Sequence, residues 1–96
     1  MSTTDDPRRS IIAVVDDDQR ILGSLEILLE SAGYAVRLFS SATALLESGG
    51  LREIDCLISD VGMPVMDGFE LVRAMETARP GLPIVLITGR PDLLNR

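Results

Sequence analysis

The sequence predicts an α/β domain built on a parallel sheet, and three observations predict it. Short apolar runs rich in β-branched residues alternate with stretches whose apolar residues recur at helical spacing, in the series βαβαβαβ. The connections between them are short. Acidic or hydroxyl residues stand directly after three of the runs, at Asp16, Asp60 and Thr88, and in open parallel sheets that carboxyl edge is where ligands bind.

Residues 1–9 (MSTTDDPRR) are polar, contain Pro7 and carry no periodicity, which predicts a disordered leader ahead of a domain over 10–96. Ile11 to Val15 is a continuous apolar run ended by three aspartates, the pattern of a strand buried on both faces. From Arg20, Ile21, Leu22, Leu25, Leu28, Leu29 and Ala32 follow helical spacing with Gly33 as the stop, so the helix-one leucines are expected in the core. Tyr34 to Phe39 predicts a second strand. Ser40-Ser41 caps a short helix through Ala42, Ala44, Leu45 and Leu46, closed by Gly49-Gly50. Ile54 to Ser59 predicts the third strand, and a loop with Gly62, Pro64 and Gly68 follows it. Phe69, Leu71, Val72 and Met75 mark a third helix ended around Arg79-Pro80-Gly81, and Pro83 opens a fourth strand, Ile84 to Ile87. Asp92 with Leu93 and Leu94 reads as the start of a further helix.

Composition narrows the function. A chain of 96 residues allows one small domain, and 46% hydrophobic against 25% charged residues is a globular balance. The formal charge is −6, with no His and no Lys, so all nine basic residues are Arg. Such an acidic chain is poorly suited to holding a nucleic-acid backbone by itself. The single cysteine, Cys56, has no partner for an intramolecular disulfide and reads as a buried small hydrophobe. The longest apolar run falls far short of the roughly 20 residues that span a bilayer. Met1 to Arg9 lacks the apolar core of a signal peptide. A cytoplasmic location is expected, without membrane contact.

The chemistry concentrates at the strand ends. Asp16, Asp17 and Asp18 follow strand one, Asp60 follows strand three, and Thr88-Gly89 follows strand four. Three or more carboxylates brought together repel one another and raise at least one pKa unless a cation joins them. With oxygen donors on offer and no His or second Cys, magnesium suits the set better than zinc. Asp18 reads as a cap of helix one or a solvated neighbour of the two acids before it, Asp67 as a helix cap, Met63 as a packing residue and Pro64 as a shaper of the loop.

Three segments, VVDDD at 14–18, ISDVGMPVMDG at 58–68 and VLITG at 85–89, resemble the signatures of receiver domains of bacterial two-component response regulators. The resemblance covers residues 10 to 96. It implies a flavodoxin-like, doubly wound parallel sheet of order 2-1-3-4, truncated so that the family's fifth strand and last helix are absent. It also implies that Asp60 is the phosphoacceptor, Asp17 a direct metal ligand, Asp16 a ligand through water and the Gly62 backbone carbonyl a further ligand. Thr88 would bond the phosphoryl group. The expected activity is a signalling switch rather than a metabolic enzyme, taking its phosphoryl group from a histidine kinase or phosphotransfer protein with Mg2+.

One departure matters. The family pairs the phosphoryl group with a lysine on the fifth strand, and this sequence contains no lysine. Arg90 lies two residues past Thr88, yet it reads as a solvated loop residue. Weak phosphorylation is therefore expected, and a phosphorylation-independent pseudo-receiver or dimerisation module is the alternative. A hydrolase of the aspartyl-phosphate type would resemble D-x-D at the nucleophile, where Gly62 stands instead. Strands three and four are apolar on both faces, so self-association through an uncovered face or edge is also expected.

Overall fold

A computed structural model describes residues 9–89. Its elements are β1 (Ile11–Val15), α1 (Gln19–Ser31), β2 (Ala35–Phe39), α2 (Ala42–Glu47), a 3₁₀ turn (Leu51–Glu53), β3 (Cys56–Asp60), α3 (Gly68–Ala78) and β4 (Ile84–Ile87). The four strands pair in parallel in the order β2-β1-β3-β4, as expected. The helix expected from Asp92 lies outside the described residues, as do residues 1–8 of the leader. Arg9 departs from the leader reading: its guanidinium donates to the carbonyls of Gly33, at 2.9 Å, and of Tyr34.

Each helix begins and ends where a side chain or glycine satisfies orphaned backbone groups. The Asp18 carboxylate accepts from the Arg20 amide at 2.9 Å and opens α1. At its other end Gly33, with φ 102°, donates to Glu30 O while Tyr34 donates to Leu29 O, a Schellman closure. Ser41 accepts from the Ala44 amide and opens α2. Asp67 and Glu70 form a reciprocal capping box at the start of α3. The far end of α3 is pinned by Arg79, which donates to the carbonyls of Leu51 and, at 3.1 Å, Ile54. Neither the 3₁₀ turn nor this pin was expected from the sequence.

The sheet separates two apolar layers. On one face Ala13, Val15 and Leu57 meet Ala42 and Leu45 of α2 and Leu71 and Met75 of α3, with Met63 and Leu82 closing the layer. On the other, Ile12 and Val14 meet Leu22 of α1, with Leu25, Leu29, Cys56 and Ile58 partly buried around them. Burial of a large apolar side chain contributes about 1.5–3 kcal/mol, so both layers stabilise the fold. Two expectations are corrected on the α1 face. Leu28 is 62% exposed because it points away from the sheet, and Cys56 is only partly buried, at the margin of the layer around Ile12, Val14 and Leu22.

Between β3 and α3 the chain makes a tight loop. Val61 donates to Ile87 O, Met63 to Val61 O, Met66 to Pro64 O and Gly68 back to Val61 O at 2.9 Å. At its tip Val65 has φ 68° and is 95% exposed, a left-handed conformation that strains a β-branched residue.

Candidate functional site

The strand order puts the ends of β1, β3 and β4 side by side, and the register aligns them: Val15 pairs with Ser59, and Asp60 with Ile87. Asp16 therefore follows β1 directly opposite the place where Asp60 ends β3. The carboxylates of Asp16, Asp17 and Asp60 offer oxygens that all lie within 4.8 Å of one another. They open on a cavity of about 430 Å³ whose floor and rim are Asp16, Asp17, Asp18, Asp60, Thr88 and Gly89 and whose apolar walls are Ile21 and Ile87. Among the described residues, those lining it supply four carboxylates and no basic group.

Burial differs sharply within the triad. Asp16 is 4% exposed, while Asp17 is open to solvent and Asp60 half-buried. Burial pushes the Asp16 carboxyl above the usual carboxylate range; the Asp18 amide, donating to its Oδ1 at 2.9 Å, partly offsets this, and the charges of Asp60, Asp17 and Asp18 push it further up. Asp18 differs from its neighbours. Its carboxylate pairs with Arg20, at 3.2 Å, and caps α1, which holds its pKa down. The cap reading of Asp18 thus describes its contacts.

Three clustered carboxylates whose buried member resists ionisation fit a small, hard, divalent cation that takes oxygen ligands. Cys56, on the second half of the α1 face, is not among the grouped ligands, and a zinc site has no other soft donor here. Gly62 sits in the loop two residues past Asp60, exposed, and is not among the residues lining the cavity. Thr88 is among them. Sequence reasoning did not foresee the apolar walls, because Ile21 and Ile87 look like ordinary core positions. It placed Gly68 in the loop after the third strand and did not foresee how closely that residue approaches the Asp60–Val61 backbone.

Comparison with known proteins agrees with this geometry. The family model of the response regulator receiver domain matches residues 12–95. The transcriptional regulatory protein FixJ of Bradyrhizobium diazoefficiens is 42% identical over 82 residues, 85% of this chain and 40% of that protein. The response regulator protein TmoT of Ectopseudomonas mendocina is 41% identical over 86 residues, 90% of this chain and 39% of that protein. Among solved structures, the chemotaxis protein CheY4 of Vibrio cholerae superimposes with a TM-score of 0.79 at 32% identity, over 85% of this chain and 70% of that one. A response regulator receiver domain protein of Clostridium thermocellum gives 0.81 at 32% identity, over 90% and 70%. The chain spans about 40% of the length of these curated relatives.

Proposed function

This chain belongs to the response regulator receiver domain family, the phosphoacceptor signalling domains of two-component systems, and from that premise we propose that Asp60 accepts the phosphoryl group. The observation that carries the proposal is the convergence of Asp16, Asp17 and Asp60 within 4.8 Å beside Thr88. Asp16, Asp17, Asp60 and the Gly62 carbonyl would hold Mg2+, which when bound supplies positive charge beside the transferred oxygens.

The chain's own groups then have separate tasks. An oxygen of the Asp60 carboxylate forms the new bond to phosphorus as the P–N bond of a donor phosphohistidine breaks, the bonding pair leaving with the imidazole nitrogen. Asp60 is half-buried, so it reaches an incoming donor while its strand holds it in place. Thr88 donates its hydroxyl to a phosphoryl oxygen. Ile21 and Ile87 keep one side of the cavity apolar, which strengthens electrostatic contacts inside it.

Receiver domains of this family exchange phosphoryl groups with histidine kinases or phosphotransfer proteins, and signalling rather than metabolism is this chain's class. Among the described residues no helix is long and apolar enough to cross a membrane. We place the chain in the cytoplasm, where its phosphodonors act, and assign it no nucleic-acid contact of its own, in keeping with its charge of −6. Self-association through the α1 face and the β4 edge is part of the same reading, supported by the exposure of Val85. The similarity to phosphoacceptor proteins does not favour a phosphorylation-independent module.

Mass spectrometry after treatment with acetyl phosphate and magnesium tests the assignment. Labelling confined to Asp60 and lost in Asp60→Asn is expected. Labelling that persists in Asp60→Asn overturns it. No label at any exposure returns the reading to the phosphorylation-independent module.

A further inference from the structure

The start of α3 lies against the backbone of the proposed phosphoacceptor itself. A Cβ built on Gly68 would stand 2.5 Å from Asp60 O, 2.9 Å from Val61 Cα and 3.2 Å from Asp60 C. All three are backbone atoms, which cannot swing aside as a side-chain tip can. The Gly68 amide donates to Val61 O at 2.9 Å, so the bare α-carbon and the hydrogen bond act on the same two residues. Gly68 is also buried, and the capping box of Asp67 and Glu70 fixes the helix directly behind it. The loop from Val61 to Gly68 is thereby closed at its base despite the strained Val65 at its tip.

Resting on the assignment of Asp60 and the magnesium site, we propose that Gly68 is a positioning residue for that site: its missing side chain lets α3 seat on the Asp60–Val61 backbone and holds the Asp60 carboxylate within reach of Asp16 and Asp17. Any side chain at 68 must lift α3 or push the end of β3. A lifted helix frees the loop, and a pushed strand changes the spacing of the three carboxylates. Either way the cation loses part of its ligand set. The contact is made by backbone on backbone, so no rotamer change at Asp60 restores it.

The test separates positioning from stability by comparing two variants of the full chain, Gly68→Ala and Leu71→Ala. Leu71 is fully buried in the same helix and is not among the cavity's lining residues, so its truncation destabilises α3 without approaching Asp60. Calorimetric titration with magnesium chloride, run where each variant is folded, is expected to show affinity weakened about tenfold or more by Gly68→Ala and less than about twofold by Leu71→Ala. Amide exchange in the unsubstituted chain provides a measurement that needs no variant to fold, because coupling between two sites is reciprocal. Saturating magnesium is expected to slow exchange of the Gly68 amide. Equal affinities in the two variants, or Gly68 exchange indifferent to magnesium, overturn the proposal. If the unsubstituted chain binds magnesium and Asp60→Asn does not, the site assignment stands whatever Gly68→Ala does; if the unsubstituted chain binds none, both fall.

Discussion

On the face of the sheet covered by α2 and α3, Leu57, Leu71 and Met75 are sealed completely, whereas on the face covered by α1 only Leu22 of the helix is buried and Val85 remains 49% exposed. The strands carry apolar side chains on both sides, so the difference comes from what lies over them. Among the described residues two helices and the loop holding Met63 cover one face. Among the described residues a single helix, packed on β1 and β2, covers the other. Asp60 stands between the two regimes. Its backbone is clasped from the tight side by Gly68, and its carboxylate shares the side of β3 that carries Ile58, toward the looser face. The site is thus anchored from one face and opens toward the other.

The sharpest way to break this comparison is to substitute one residue on each face. Leu71→Ala is expected to cost about 2–5 kcal/mol through the cavity it leaves. Val85→Thr, similar in shape and already half in water, should change stability by less than about 0.5 kcal/mol. Urea midpoints at unchanged slope measure both, and equal losses would mean the two faces are packed alike.

Magnesium tests whether the acidic edge joins the two faces. At 100 times its dissociation constant the ion should add about 2.7 kcal/mol to the unfolding free energy. Asp17→Asn should lose most of that gain. A melting temperature that millimolar magnesium leaves unmoved would argue that the carboxylates do not act together.

Helix caps sharpen the contrast at a smaller scale. Asp67→Ala opens the capping box of the well-buried α3 and should cost about 1 kcal/mol. Asp18→Ala removes a cap from the more exposed α1 and should cost no more than Asp67→Ala in the same denaturation series.

Val85→Lys places a charge on the open face and is expected to leave stability nearly untouched while suppressing concentration-dependent mass in light scattering coupled to size exclusion. A parent chain that runs as a monomer at all micromolar concentrations would show that the looser face is not sticky.

The gentlest effect concerns pH without metal. Burial raises the folded-state pKa of Asp16, so the folded chain holds that proton more tightly than the unfolded chain. Its contribution is complete below the ordinary value of 3.8 and is lost as pH rises through the raised value. The stability of the parent relative to Asp16→Asn should therefore fall over that interval, as urea midpoints at stepped pH would reveal.

How far these features were legible follows from their physics. Strand β1 announced itself because a strand buried on both faces must be apolar throughout, and the caps at Asp18, Ser41 and Asp67 because few side chains can accept from a helix's first amides. The acidic edge was legible because a parallel sheet of order β2-β1-β3-β4 aligns the ends of its inner strands. Leu28 was misplaced because helical spacing gives the width of an apolar stripe and says nothing of how much sheet lies beneath it. The Arg79 pin and the seat of Gly68 depend on where a distant backbone arrives, which no local pattern encodes.

Val65 sits near 95% exposure with its backbone on the left-handed side, and this has a bearing on how the sequence can drift. A residue that gains little burial and carries torsional strain marks a spot where a change to Gly or Asn moves uphill in robustness at almost no structural risk. Such a step would widen the margin within which costlier exchanges elsewhere, on the tightly filled face above all, could be absorbed. The loop tip is in that sense a reserve of tolerance that the present sequence has left undrawn.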